Sequence, residues 1–354
     1  MLHIDITAAD RDEGGSMGTV AQGAEQAVRN CARLLPDERV VIITDHETEH
    51  IAAALRQVAE GVSPGNVETL ILEDFGERPE DGSNPLGLPD EIAKAIRHAD
   101  VSFFAATGKK GEVGSLRMPL NKVVYATERV RHGHMPGISD ELMRMGMCAN
   151  YDEVQRVSAA VVEIVREARK ITVTTPAGTE FTAQFSLSLN WVVCDGVLRA
   201  GKPTNLPDGE VFTCPYDVKE GVVVIDGILG DYFSDKYGLL EDTPVTWEIE
   251  DGRVRKISCV DDRLVSELGE YMAQDENADR LGEFAIGTNI GLDRLVGNLL
   301  QDEKYPGVHV AVGAPISHET GADWTSEVHL DGVLKEVTID VEGQVIMRDG
   351  EFAL

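Results

Sequence analysis

The sequence predicts a three-layer α/β domain on a parallel sheet, over residues 1–168, followed by a β-rich α+β domain over residues 169–354. Two observations predict it. Short apolar runs alternate with helix-spaced segments in the first half, the pattern of a sheet covered on both faces. The second half instead shows hairpin turns and alternating strands. At 354 residues the chain is long enough for two cores.

In order along the chain, residues 18–35 place Val20, Ala24, Ala27, Val28 and Cys31 near helical spacing. Val40-Val41-Ile42-Ile43-Thr44 is a short apolar run suited to a strand buried on both faces. Residues 49–60 read as a helix through Ile51, Ala54, Leu55 and Val58, and residues 67–72 as the next strand. Residues 73–88 are rich in Gly, Pro, Asp and Glu and read as an exposed loop. A helix over 89–98, with Pro89 near its first turn, leads to strands at 101–105 and 123–125. Ser139 caps a helix reaching Met147, and residues 151–168 form a long helix closing the first domain.

Beyond it, 171–175 and 179–185 flank Pro-Ala-Gly as a hairpin. Strands follow at 222–228, 245–249 and 254–258, helices at 261–274 and 292–301, and a closing hairpin at 335–340 and 344–348.

Composition excludes several functions. A formal charge of −30, from 32 basic and 62 acidic residues, repels phosphates and anionic lipids, so nucleic-acid and membrane binding are not expected. The acidity reads first as a solvated surface, with a halophilic surface as the minor alternative. No apolar run approaches the roughly 18 residues needed to span a bilayer. The start, Met1-Leu2-His3-Ile4-Asp5, lacks the features of a secretion signal, so a cytoplasmic location is expected. The five cysteines, widely spread and without a Cys-x-x-Cys, read as reduced thiols. Glu13-Gly14-Gly15-Ser16-Met17-Gly18 precedes the first strand and lacks a P-loop lysine, so nucleotide binding is not expected either. The basic residues Lys109, Lys110, Arg117, Lys122, Arg129 and Arg131 read as partners of the acidic surplus before they read as a carboxylate site.

The chemistry-bearing residues come late. Asn205-Leu206-Pro207-Asp208-Gly209-Glu210-Val211-Phe212-Thr213-Cys214-Pro215 sets Glu210 between a turn and an apolar pair. Leu281-Gly282-Glu283 opens an apolar strand, and Gly307-Val308-His309-Val310-Ala311-Val312-Gly313 embeds a histidine in another. In His329-Leu330-Asp331 the period of two points both polar side chains to one face. Taken singly, His309 reads as a satisfied core histidine, Glu283 as a strand-terminus contact and Glu210 as a turn residue. Together the three carboxylates and two imidazoles are enough donors for two neighbouring divalent ions.

These four segments, in this order, resemble the motifs of the aminopeptidase T / aminopeptidase S family of dinuclear metallopeptidases: N-x-P-x-x-E-V-F-T-x-P, L-G-E, H-x-A-x-G and H-x-D. Arg131 to Ile138 and Cys148 to Tyr151 also resemble segments of its shorter members. The resemblance implies Glu210, Glu283, His309, His329 and Asp331 as metal ligands, with Glu283 or Asp331 bridging. It further implies a β-rich catalytic domain, cleavage of an N-terminal peptide bond or related small amide, and a homodimer. Zinc is the first expectation for the two ions; cobalt and manganese suit the same donors. Seven residues after the H-x-A-x-G histidine the peptidases carry a tyrosine, where this chain has Ile316. His318 and Glu319 are the candidate acid–base residues in its place, with Tyr232, Tyr237 and Tyr305 as alternatives.

A sister group, the dihydroxypyridine dioxygenases, resembles the same peptidases but uses one iron(II) on two histidines and one carboxylate. It has a histidine at the position of Glu283 and lacks counterparts of Glu210 and His309. This chain keeps the peptidase residues at all three positions. The competing expectations are a family member turned to another small-molecule reaction, iron-dependent ring cleavage included, and a non-catalytic metal-binding protein.

Overall fold

The computed structural model describes residues 17–354. The N-terminal stretch read for location and residues 13–16 of the glycine-rich segment lie outside the described residues. Among those described, no helix is long and apolar enough to cross a membrane.

The chain forms two compact units. One runs to Asp152 and takes in Asp195–Asp208; the other comprises Glu153–Cys194 and Gly209–Leu354. Sequence spacing placed the change of texture near residue 168. In the structure the helix Tyr151–Val165 gives Val157, Val161 and Val165 to the core of the second unit, so the change falls at its start.

In the first unit β1 (Val40–Thr44), β2 (Val67–Ile71), β3 (Val101–Ala106) and β4 (Arg131–Pro136) pair in parallel. Every residue of β1 and β3 is buried, as their unbroken apolar runs require of a sheet covered on both faces. The helices Glu49–Val62 and Asp90–His98 supply covering faces through Ile51, Leu55 and Val58 and through Ile92 and Ile96. Thr19 opens the helix at Val20 with a capping box to Gln22.

The chain continues with β5 (Lys170–Thr174), β6 (Glu180–Gln184) and β7 (Val192–Cys194). Next, β8 (Pro203–Asn205) extends the parallel sheet beside β4, giving the order β2-β1-β3-β4-β8. The second unit adds β9 (Glu210–Thr213), β10 (Glu220–Ile225), β11 (Val245–Glu250), β12 (Arg253–Ser258), β13 (Leu281–Gly287), β14 (Gly307–Gly313), β15 (His329–Leu334), β16 (Thr338–Val341), β17 (Gln344–Arg348) and β18 (Glu351–Phe352). An eight-stranded antiparallel sheet runs β12-β11-β10-β6-β5-β16-β17-β18, and a five-stranded one runs β15-β14-β13-β9-β7. One hydrophobic core takes residues from both: Phe181, Val223, Ile225 and Trp247 from the first, Phe284, Ile286, Val308, Val310 and Val312 from the second.

Two expectations are corrected. Val123-Val124-Tyr125 is not a strand but part of the helix Met118–Thr127, which carries Pro119 in its first turn and buries Leu120 and Val124 one turn apart. The strand beside β3 is instead Arg131–Pro136. Its His132 and His134 are buried as neutral rings, with Ser102 Oγ 2.8 Å from His132 Nδ1 and His132 Nε2 3.3 Å from His134 Nδ1. The helix expected over 292–301 shrinks to Leu299–Asp302, because Gly297 turns with φ +82° and the Asp302 carboxylate accepts the Gly297 amide at 2.7 Å. Of the basic residues after Gly108, Lys109 pairs with Glu47 and Glu80, Arg129 with Asp100, and Arg131 with Glu38.

Candidate metal centre

Strand alternation decides which side chains meet. In β14, Val308, Val310 and Val312 point into the core, so His309 and Ala311 lie on the opposite face. The register carries that face across the sheet. Ala311 stands opposite both Glu283 and Asp331, Gly313 opposite His329, and Ala285 opposite both His309 and Phe212. Gly287 stands opposite Glu210. All five expected ligands therefore occupy one face of β9, β13, β14 and β15, with alanine and glycine between them. The small residues leave the space that ions need.

Gly313 has a second reason to be glycine: its φ is +98°, and a Cβ there would lie 2.1 Å from the Val328 carbonyl oxygen.

The distances divide the donors into two sets. His309 Nε2 lies 3.5 Å from Glu210 Oε2 and 3.4 Å from Glu283 Oε1. His329 Nε2 lies 3.4 Å from Glu283 Oε2 and 3.3 Å from Asp331 Oδ1. These gaps are long for hydrogen bonds. Four donors each about 2.0–2.1 Å from a tetrahedral ion sit roughly 3.4 Å apart, the separation seen in both sets. Each Glu283 oxygen faces a different histidine. Glu210 Oε2 is buried and makes no hydrogen bond, an expensive state for a carboxylate that nothing coordinates. The chemistry of this donor set therefore suits divalent metal, which Glu210, Glu283, His309, His329 and Asp331 would hold.

The carboxylates and imidazoles also perturb one another's charge. Burial pulls His309 down, but the nearby Glu283 carboxylate, with the charges of Glu210 and Asp331, holds it up at about 9. Burial likewise opposes the charged form of His329, yet Asp331 and Glu283 raise it to about 10. Asp331 is buried against its charge and is held down at about 2 by His329. Burial moves Glu283 above the usual carboxylate range. The carboxylates thus favour the protonated form of both imidazoles.

The ring of His329 is oriented by its Nδ1–H donating to the Ala314 carbonyl at 2.9 Å, which leaves Nε2 to face the site. Its backbone carbonyl accepts from Tyr271 Oη at 3.2 Å. Glu210, Glu283, His309 and Asp331 are buried, whereas the His329 side chain is 31% exposed and marks the open side.

Two neighbours escaped the sequence reading. A Glu303 donor lies within 4.8 Å of donors of His309 and Asp331. Lys304 Nζ lies 2.6 Å from Glu210 Oε1 and 2.7 Å from Glu303 Oε1. Burial lifts the Glu303 carboxyl, with Glu210 and Asp331 adding to the rise and Lys304 opposing it, to about 8. Glu303-Lys304-Tyr305-Pro306 looks like a polar turn in sequence; its only signal is its place just before the His309 strand.

The acid–base candidates are placed differently. His318 is 62% exposed, with Nε2 3.7 Å from Glu319 Oε1, and neither residue joins the clustered donors among the described residues. Ile316 packs against Val192, Phe212 and Ala285 and closes an apolar border on the face that carries the donors. Tyr232 is exposed, Tyr237 stacks on Phe233, and Tyr305 packs beside Ile228, Leu295 and Val333.

The family model described as thermophilic metalloprotease (M29) matches residues 144–352, which hold all of these donors. No curated protein sequence matches the chain. Among solved structures, AmpT from Thermus thermophilus is 18% identical over 95% of this chain and 99% of its own, with a TM-score of 0.68. The 2,5-dihydroxypyridine dioxygenase from Pseudomonas putida KT2440 is also 18% identical, over 94% of this chain and 96% of its own, with the same TM-score of 0.68. Both share the fold.

Proposed function

The chain belongs to the thermophilic metalloprotease (M29) family, and from that membership we propose that it is an aminopeptidase-like hydrolase. It cleaves an N-terminal peptide bond or related small amide at two divalent ions, zinc first among them, held by Glu210, Glu283, His309, His329 and Asp331. The observation that carries this reading is Glu283, whose two oxygens each stand 3.4 Å from a different imidazole.

When bound, the two ions supply Lewis acidity to the scissile carbonyl and bring a shared water toward ionisation. The chain's own groups do the rest. Glu283 fixes the spacing of the two positions, and the Ala314 carbonyl keeps the proton of His329 on Nδ1. Glu303, with Oε1 held by Lys304, takes up a proton at its second carboxyl oxygen and returns it to the leaving amine. His318 and Glu319, on the exposed short helix, are assigned the rim. Substrate enters past His329, the most exposed of the donors. A homodimer in the cytoplasm completes the proposal.

Elemental analysis of reconstituted protein, with assays on aminoacyl chromogens and dipeptides, tests the reading. Two ions per chain and activity lost in Glu283→Ala are expected. One iron per chain with oxygen consumption would overturn it in favour of ring-cleaving chemistry, and metal-loaded protein inert on every amide would favour a non-catalytic binder.

A further inference from the structure

We infer that Lys304 is a positioning residue of the centre: its ammonium holds one oxygen of Glu210 and one of Glu303, so that Glu210 offers an ion a single oxygen and Glu303 stays outside the ligand set. The inference rests on the two-ion reading above and deepens it.

Lysine is among the residues least often fully buried, yet the Lys304 side chain is 1% exposed. Its backbone is fixed on both sides: its N–H donates to the Gln301 carbonyl at 2.9 Å, and its carbonyl accepts the Asn289 amide at 3.0 Å. The side chain is thereby delivered from the tight link between the helix Leu299–Asp302 and β14. Its Nζ meets Glu210 Oε1 at 2.6 Å and Glu303 Oε1 at 2.7 Å.

Glu210 is thus divided, Oε1 on the ammonium and Oε2 toward His309. A carboxylate free of such a partner can chelate with both oxygens. Glu303 is near enough to His309 and Asp331 to join the coordination if released. An ammonium accepts no metal and exchanges with none, so it sets the donor number from within the fold. This is the pattern in which outer partners orient the groups that touch the metal.

Cobalt(II) provides the readout, because its visible d–d band is strong at four- or five-coordinate ions and weak at six-coordinate ones. Metal-free wild type, Lys304→Met, Lys304→Arg and the double variant Lys304→Met/Glu303→Gln are titrated with cobalt and their spectra compared. Wild type takes two cobalt ions per chain with a strong band. Lys304→Met loses several-fold of the band per ion, or loses one ion, and the double variant regains part of the loss because Glu303 can no longer enter. Lys304→Arg, whose wider fork cannot sit on both oxygens as the ammonium does, shows an intermediate band and serves if Lys304→Met does not fold. Spectra and stoichiometry in Lys304→Met or Lys304→Arg indistinguishable from wild type overturn the inference, as does a double variant no nearer wild type than Lys304→Met. A wild type that binds no cobalt, or a Glu283→Ala variant that binds as much as wild type, sinks the two-ion reading itself, a separate failure.

Discussion

Loading the centre with metal releases protons, and the apparent affinity climbs with pH. In the metal-free protein His309 is held at about 9 and His329 at about 10, so both rings are protonated at neutral pH. An ion accepts only the neutral ring. Because these pKa values are raised, the proton must be displaced at every pH below them. At pH 7 the displacement costs His309 about two pH units, on the order of 100-fold in affinity, and His329 about three, on the order of 1,000-fold. Each ion should therefore bind about ten-fold more tightly per unit of pH above 7, levelling near the pKa of its ring. Unperturbed histidines near 6.5 would level off before pH 7. Isothermal titration of metal-free protein in two buffers of different ionisation enthalpy counts the protons directly. At least one proton per ion is expected at pH 7, with less release above pH 10. An affinity flat between pH 7 and 9, with no proton release at pH 7, would refute the reasoning.

Three further outcomes are expected. Ala311→Leu fills the gap between Glu283 and Asp331; it should abolish metal uptake while costing about 1–3 kcal/mol of stability, as core overpacking does. Elemental analysis finding two ions in that variant would show that the donors do not converge there. Arg78→Met strips the partner from the buried Asp45 and Glu112, to which Arg78 donates at 2.6 and 2.7 Å; Asp45, also hydrogen-bonded by Thr107 and Thr48, is held well below the usual range. Urea unfolding should lose about 3–5 kcal/mol, and a loss under about 1 kcal/mol would show that the network is not worth its burial. Finally, a formal charge of −30 repels itself, and raising salt from about 0.1 to 1 M shortens the screening length from about 10 to 3 Å, so Tm should rise by roughly 2–4 °C for each kcal/mol of relieved repulsion. A Tm that falls or stays flat in a salt series would count against an acidity that destabilises.

The five donors were named through the resemblance of their motifs; alternation adds only a direction, Val308, Val310 and Val312 announcing which way His309 points and Leu330 doing so for His329 and Asp331. What brings them together is register, and that depends on pairings between segments far apart in sequence, such as Glu210 with Gly287. Glu303 and Lys304 were hidden because two adjacent opposite charges before a proline look like any solvated turn. β4 was missed since Arg131-His132-Gly133-His134 has little strand propensity; burial between β3 and β8, with a hydrogen bond between the Ser102 hydroxyl and a ring nitrogen of His132, overrides it. The run at Val123 misled in the opposite sense, since three apolar residues in a row fit a helix face as well as a strand.

The sheet that carries the donors on one side carries the hydrophobic core on the other, along the same strands. A slip of one residue in β13, β14 or β15 would bury charges in oil and turn valines toward the ions, so no folded but misthreaded form can persist with a half-built centre. Catalytic competence is consequently inherited with foldedness. A preparation that keeps its cooperative melt but loses activity should accordingly recover it on adding divalent metal, without refolding.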